Sequence, residues 1–354
     1  MSRSIDSRPP IAILLNANAR LVTHKVRHSL EKVIPKAHLF FSRTREEAQD
    51  YVQHIIDNKY RVVFSGGGDG SFVNLINLAA DYVKKKNLAR GLFSKLNPPL
   101  EMPHFGVLKL GTGNGISSFV GSRAGTKHLE QTIHSGEFKT MDMALIESGE
   151  RLFHFAGSGF DARVLSDYKL FMNSLKTSEA RKNFSGLPGY FMSGLGKTVP
   201  ESVLRPDRGE VRIEVEGEDT AYHMHHAGGK DTAVETASRV LYSGPSTAVA
   251  VATEPFYGYN IRAFPFANLR EGYMNLRVLL AKPVSIVANM GQFWNGSYRG
   301  HGVVDFLVKK IKVTYEKATP MHIGGDFEAF TRSLVYSVTP QTCKLIDFRG
   351  LAAT

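Results

Sequence analysis

Val62-Val63-Phe64-Ser65-Gly66-Gly67-Gly68-Asp69-Gly70-Ser71 is the stretch on which the fold of this chain turns. An apolar run of β character breaks into four glycines around one aspartate, and helical periodicity follows at once. Phe72, Leu75, Ile76, Ala79 and Val83 keep the spacing of a buried helical face. The pattern predicts strand, glycine turn and helix in that order, the local architecture of a phosphate cradle. Glycines let the backbone approach an anion closely, and unpaired N–H groups at the helix start point at it. Asp69 stands out, because a carboxylate repels a phosphate. It implies a Mg²⁺ ion or water between the two, or a hydrogen bond that fixes the loop. An ordinary strand–helix turn capped by Ser71 is the competing reading, and the density of glycine argues against it.

A second glycine turn answers the first. Phe105-Gly106-Val107-Leu108-Lys109-Leu110 reads as a buried strand, closed by Gly111-Thr112-Gly113-Asn114-Gly115 and a helical run from Ile116. In an open α/β sheet two such turns can lie side by side at the carboxyl edge, where ligands bind. Both follow strands, and together they signal a nucleotide.

These residues resemble the diacylglycerol kinase catalytic-domain family, which includes sphingosine and ceramide kinases. Gly66 to Ser71 is similar to its GGDGT/S motif, and Leu110-Gly111-Thr112-Gly113-Asn114 to its second motif, usually P-L-G-T-G-N-D. Asn16, in Ile13-Leu14-Leu15-Asn16-Ala17, stands where the family often has an N-P step after its first strand. Gly157-Ser158-Gly159-Phe160-Asp161-Ala162 matches the G-x-G-F-D-A segment that opens its second domain. The order continues through Phe256-Tyr257-Gly258, Pro265-Phe266-Ala267 and an acidic motif between Gly324 and Glu328. The resemblance implies an ATP-dependent lipid kinase using Mg²⁺. It would move the γ-phosphate to a hydroxyl of diacylglycerol, a sphingoid base, ceramide or another lipid alcohol. Asn16, Gly66, Gly67, Gly68, Gly70, Ser71, Gly111, Thr112, Gly113 and Asn114 are then the nucleotide-binding residues, with Asp69 organising the loop or the nucleotide's Mg²⁺.

Phosphoryl transfer to an alcohol needs a nucleotide cradle, Mg²⁺ and a group that accepts the hydroxyl proton. An alcohol is too weak an acid to ionise unaided at neutral pH, so a positioned carboxylate is expected. The family places it near a late D-G-E motif. Here His322-Ile323-Gly324-Gly325-Asp326-Phe327-Glu328 aligns with that motif in two ways. One sets Asp326 and Glu328 in the D and E places, with Phe327 replacing Gly. The other sets Gly324 in the D place and Asp326 in the E place, removing the usual base. Asp326 is kept in both and is the expected catalytic carboxylate, with Glu328 assisting.

Other positions depart from the family. Gly115 replaces the Asp that usually follows Asn114. Asn268-Leu269-Arg270-Glu271-Gly272 replaces the acidic run that holds a structural Mg²⁺ in bacterial diacylglycerol kinases of this kind. Arg270 would repel a cation there, so only nucleotide-bound Mg²⁺ is expected. NAD kinases and phosphofructokinases also carry GGDG-type loops, which makes a soluble-substrate kinase related to NAD kinase the nearest alternative. The G-T-G-N and G-F-D-A segments favour the lipid branch. The altered acidic motif keeps open a catalytically silent lipid- or nucleotide-binding regulator.

Composition suits a cytosolic enzyme. At 354 residues two domains are expected, and 42% apolar with 22% charged residues is ordinary for a globular chain. A single cysteine, Cys343, excludes an internal disulfide and fits a reducing compartment. Residues 1–10 lack the apolar core of a signal peptide, and no run approaches the roughly 18 apolar residues that span a bilayer. A lipid kinase of this make-up is expected in the cytoplasm, visiting the membrane surface from outside.

The formal charge of +11 suits a nucleotide and anionic phospholipid. Nucleic acid is not expected, since the basic residues are scattered and no recognition motif is present. Two basic clusters stand out: Lys84-Lys85-Lys86 with Arg90 and Lys95, and Lys169, Lys176, Arg181 and Lys182 beside Phe171, Met172, Phe184 and Leu187. The first ends a helix, where cations meet the carbonyl end of the dipole. The second reads as an interfacial membrane contact or an ordinary surface helix. A homodimer completes the partners considered.

Residues 11–17, 38–42, 61–65 and 105–110 are predicted strands, and 22–34, 44–58, 71–87 and 124–135 predicted helices. This alternation implies an α/β domain with a parallel sheet, of the NAD-kinase and diacylglycerol-kinase type. Gly91 to Pro103 reads as a loop. From about Met141 the pattern turns β-rich, at 142–147, 151–157, 210–216, 220–226, 247–253, 275–280 and 311–316. An antiparallel β-sandwich-like domain is expected there, with a helical excursion at 163–199. The expected division is a nucleotide-binding domain over 1–140 and a β-rich domain over 141–354, whose final residues can pack back on the first.

Rival motifs fail. Gly196-Lys197-Thr198 resembles the end of a P-loop, but Phe191 stands where its first glycine belongs. Gly157 to Ala162 also fits a dinucleotide G-x-G-x-x-A, without the β-α-β unit that motif needs. His223, His225 and His226 lack nearby Cys or carboxylate partners in sequence, so no metal is expected there.

Overall fold

The computed structural model describes residues 11–91, 99–123, 129–130, 132–133, 138–175, 177, 184, 189, 192–200, 209–227, 230–298 and 302–350. The chain divides into two compact units, Met1–Met143 with Cys343–Thr354, and Ala144–Thr342.

The first unit carries β1 (Ile11–Asn16), β2 (Leu39–Ser42), β3 (Val62–Gly67) and β4 (His104–Lys109), all parallel, in the order β2-β1-β3-β4. β3 is buried along its whole length, which is why its sequence is a continuous run rather than an alternation. Helices α1 (His24–Glu31), α2 (Arg45–Asp57) and α3 (Asp69–Gly91) follow the first three strands. α2 starts where Thr44 accepts the Glu47 N–H at 3.2 Å, while the Glu47 carboxylate reaches back to the Arg43 N–H at 2.6 Å. This is a close variant of the reciprocal capping box. Beyond β4 the chain end returns, and Leu345 pairs in parallel with Phe105.

α3 begins two residues before its predicted start and runs four beyond its predicted end, into the predicted loop. The Gly68 carbonyl already accepts the Phe72 N–H at 3.1 Å, so the helix starts at Asp69. At the far end the Asn87 side chain accepts the Leu100 N–H at 2.7 Å and donates to the Leu100 carbonyl at 2.8 Å, tying the returning chain to the helix. After β4 comes the short α4 (Gly115–Phe119). In the predicted 124–135 helix, residues 129–130 and 132–133 are helical and the remainder lies outside the described residues.

The rest is antiparallel. β5 (Thr140–Ser148) and β6 (Arg151–Phe153) form a hairpin, followed by β7 (Phe155–Gly159) and α5 (Phe160–Ser174). Next come β8 (Gly209–Val215), β9 (Ala221–Ala227), β10 (Lys230–Thr236), β11 (Val240–Ser246), β12 (Ala248–Ala252) and β13 (Met274–Leu279). Two short helices, α6 (Pro283–Ala288) and α7 (Met290–Asn295), precede β14 (Val303–Val308), β15 (Lys310–Ile323) and β16 (Asp326–Ile346). The strand order is β10-β9-β14-β13-β12-β7-β15-β16, with β8 joining β15 to β11.

Four of these strands, β10, β11, β14 and β16, escaped the sequence reading, the first three for a plain physical reason. β10 is solvent-exposed almost throughout, so it has no apolar alternation. β11 contains Gly244 and Pro245, which read as a turn. β14 is interrupted by Asp305, a buried carboxylate made tolerable by Arg277 on the paired strand.

Candidate active site

In the first unit the two glycine turns meet at the carboxyl ends of β3 and β4. A Cβ on Gly111 would overlap the backbone of Gly68, and one on Gly68 would lie 3.3 Å from Gly111 Cα. Gly66 and Gly67 are similarly confined, by Leu15 and by Ser71. None of the four has a positive φ. Gly68 and Gly111 are needed because backbones touch, and Gly66 and Gly67 because the Leu15 and Ser71 side chains close in, not because the chain enters the left-handed region. Asn16, at the end of β1, donates to Ser71 Oγ at 2.9 Å and accepts the Asn18 N–H at 2.9 Å.

Asp69 is buried, and its carboxylate spans the two turns. One oxygen accepts the Gly115 N–H at 2.8 Å and the other the Ile116 N–H at 3.1 Å. It thus caps α4, and Gly115, where the family usually has Asp, supplies one of the two donors. Burial raises the Asp69 carboxyl above its ordinary value, and the two N–H groups act the other way. Of the two roles expected for Asp69, organising the loop or the nucleotide's Mg²⁺, these hydrogen bonds bear on the first. Each oxygen accepts one backbone N–H, which fixes the loop against the second turn. Asn114 closes the second turn in a left-handed conformation, φ 56°, with Oδ1 accepting the Gly111 N–H at 2.9 Å and Nδ2 donating to the Gly111 carbonyl at 2.6 Å. Gly68, Gly70, Ser71, Thr112, Gly113 and Asn16 remain partly open to solvent along this edge.

In the second unit Gly324 (φ 59°) and Gly325 (φ 85°) form the two-residue loop between β15 and β16, with Ile323 paired to Asp326. Positive φ at both loop positions is the type I′ hairpin turn, for which Asp-Gly is a preferred pair. Gly324 and Gly325 thus occupy the two loop positions, and Asp326 is the first residue of β16. One alignment of the D-G-E motif puts D and G on these loop glycines, the other on Asp326 and Phe327, inside the paired strand. Phe327 faces His322 across the ladder, and Glu328 is ion-paired to Arg151. Asp326 is exposed as a residue, yet its carboxyl is pushed upward, first by desolvation and then by Glu328, against Lys169, Arg151 and His322.

A constellation outside the expected site residues lies beside this turn. His322, fully buried, sits opposite Gly157 on β7. Its Nε2 lies 3.0 Å from Asp161 Oδ2 and 3.0 Å from the Tyr257 hydroxyl, which is itself 3.4 Å from the same carboxylate oxygen. Asp161 Oδ1 accepts the Ala162 N–H at 2.8 Å. Each of the three stands within a stretch singled out in the sequence. Their meeting was not legible, because 65 and 161 positions separate His322 from its partners.

Other expectations resolve as follows. His223 and His225 are adjacent on β9, rings 4.1 Å apart, while His226 pairs with Asp231 at 2.7 Å. Among the described residues no group of three or more His, Cys, Asp or Glu could hold a metal ion. Arg270, in place of the family's acidic run, lies over the rings of Tyr222 (4.2 Å) and Tyr273 (5.1 Å). Lys86 pairs with Asp57 at 3.3 Å, whereas Lys95, Lys176, Arg181, Lys182 and Leu187 lie outside the described residues. No described helix is long and apolar enough to cross a membrane.

Paired glycine turns at the carboxyl edge of a parallel sheet are an arrangement at which α/β domains bind phosphates. Residues 11–146 match the family model of the diacylglycerol kinase catalytic domain. The chain is 26% identical over 178 residues to the lipid kinase YegS of Escherichia coli (strain K12), an alignment covering 50% of each protein. It thus spans about half the length of the curated relatives it matches. A crystal structure of a diacylglycerol kinase from Bacillus anthracis str. Sterne has the same fold, with a TM-score of 0.62 at 16% identity, covering 97% of this chain and 98% of that one.

Proposed function

We propose that this chain is an ATP-dependent kinase that transfers the γ-phosphate to the hydroxyl of a lipid. The observation that carries the reading is the joined pair of glycine turns within the segment matching the diacylglycerol kinase catalytic domain. Asn16, Gly66, Gly67, Gly68, Gly70, Ser71, Gly111, Thr112, Gly113 and Asn114 hold the nucleotide, and Asp69 braces the two turns against each other. Mg²⁺ bound with the nucleotide would supply neutralisation of phosphate charge. The donor set fits an ion held mainly by phosphates, since the described residues offer no multi-ligand cage of their own. Asp326 is the remaining carboxylate of the acidic motif and orients the acceptor side of the reaction, with Glu328 holding Arg151 beside it. The enzyme works in the cytoplasm and reaches its lipid at an anionic membrane surface.

Radiolabelled ATP offered with diacylglycerol, sphingosine and ceramide in mixed micelles, and with NAD and fructose 6-phosphate in solution, tests this. Label is expected in a lipid. Label only in a soluble acceptor would replace the reading with the NAD-kinase-like one, and nucleotide binding without turnover would point to a silent regulator.

A further inference from the structure

Residues 20–45 carry seven Lys or Arg against one acidic residue, Glu31, a surplus of six within the chain's +11. We propose that this stretch is the face by which the first unit docks on an anionic lipid bilayer, an inference that rests on the lipid-kinase reading above. The whole stretch lies within that unit.

α1 shows how the fold gathers the charge. Leu30 is buried and Val26 half-buried, which marks the inner side of the helix. Lys25, His28 and Lys32 follow one another at helical spacing on the opposite side, and all three are exposed. Glu31 is ringed by cations, with Arg27 Nε at 3.1 Å, His28 Nδ1 at 3.9 Å and Lys36 Nζ at 4.0 Å. The one carboxylate of the stretch is thus answered from within it, and Lys25 and Lys32 face solvent. β2, the edge strand of the sheet, continues the face. The guanidinium groups of Arg27 and Arg43 lie over the Phe41 ring at 5.3 Å and 5.5 Å.

The loop ahead of α1 is held at both sides. Asn18 donates to the Arg43 carbonyl at 2.9 Å, and the Leu21 N–H donates to the Leu110 carbonyl at 3.3 Å, beside the second glycine turn. Leu21 is itself 43% exposed, an apolar side chain next to cations, as interfacial surfaces carry. Each Lys or Arg close to an anionic leaflet strengthens association about fivefold, so a cluster of this size suffices for docking. The aromatic residues argue against nucleic acid as the occupant. Phe41 is covered by guanidinium groups and Phe40 packs against Tyr51 and Tyr60, so neither ring is presented for stacking on bases.

The test is sedimentation of the full chain with vesicles of phosphatidylcholine alone and of phosphatidylcholine mixed with phosphatidylserine, at low salt. The wild type is expected to sediment with the mixed vesicles only. Lys25→Gln, Lys32→Gln and Lys36→Gln combined remove three exposed charges far from the glycine turns in sequence. This variant should partition about a hundredfold more weakly, with melting temperature and binding of a fluorescent ATP analogue unchanged. A triple variant that sediments like the wild type would overturn the proposal. So would a loss seen only on reversing Lys176, Arg181 and Lys182, which would give the docking face to that cluster. Tighter binding to an oligonucleotide than to the vesicles at the same salt, lost in the triple variant, would overturn it in favour of nucleic acid. Sedimentation needs no turnover, so the two readings fail separately. A chain that docks as expected yet labels no lipid would sink the kinase reading and leave the docking face standing.

Discussion

Gly68 and Gly111 are glycines because two backbones meet there, and that makes the second the more sensitive position. In Gly111→Ala the new methyl has only the Gly68 backbone to displace, and neither turn can move without unseating Asp69. The variant is expected to lose about 1–3 kcal/mol of stability, the usual cost of forced overpacking, and most nucleotide affinity. Denaturant unfolding and binding of a fluorescent ATP analogue would measure both. Native-like values in each would mean that the turns are not a joined cradle. At the acidic turn, the alignment that sets Asp326 in the assisting place predicts a milder loss in Asp326→Asn, about tenfold in kcat, than removal of a general base brings. Gly324 has φ 59°, a value Asp tolerates better than most residues, so Gly324→Asp should fold and raise turnover. A fall in kcat for folded Gly324→Asp would give the D place to Asp326.

At the scale of elements, β13 and β14 are locked by a buried ion pair. Arg277 donates to Asp305 at 2.9 Å and also reaches the carbonyls of Ala263 and Tyr298, so one guanidinium joins two strands to two loops. Arg277→Met leaves a buried, unpaired carboxylate and should cost about 3–5 kcal/mol, most of it recovered in Arg277→Met with Asp305→Leu. Urea unfolding of the single and double variants decides this. Equal loss in both would place the stability in the loop contacts. His154, at the junction of β6 and β7, is fully buried, and burial pushes its imidazole down to about 3, although the buried Glu254 carboxylate lies 3.9 Å from Nε2. Its folded value lies below its unfolded one, so the unfolded chain binds the extra proton first. Stability is therefore expected to fall on acidification from about pH 6.5 towards pH 3, by at most about 1.4 kcal/mol per pH unit from this group. Urea titrations at pH 7 and pH 5 would show the drop, and His154→Gln should flatten it.

For the whole molecule, the charge of +11 makes association with anionic vesicles the expected consequence of acting on a lipid. Exposed charges are screened within about 10 Å at 0.1 M salt, so sedimentation with such vesicles should weaken steeply as salt rises. Reversing Lys176, Arg181 and Lys182 to Glu should lower turnover on vesicles more than turnover on a short soluble acceptor. Equal loss on both would assign those residues to folding or chemistry instead.

The strand, glycine turn and helix from Val62 to Val83 were legible from sequence alone, as were the second turn and the change from parallel to antiparallel character. Each rests on periodicity or composition over a few neighbouring residues, which any one window of sequence displays. Buried ions hid β14, and an exposed edge hid β10, because both break the apolar pattern that marks a strand. The acidic motif was legible as residues but not as an alignment. Two registers fitted the letters equally, and the sequence did not show that Gly324 and Gly325 make a two-residue hairpin turn with positive φ. That Asp69 ties the two turns together was not legible, because its partners lie 46 and 47 positions away. His322, Asp161 and Tyr257 belong to three separate motifs and become one group only where β15 crosses β7. Local physics writes the elements into the sequence, whereas a hydrogen bond between distant residues exists only once the chain has closed the loop between them.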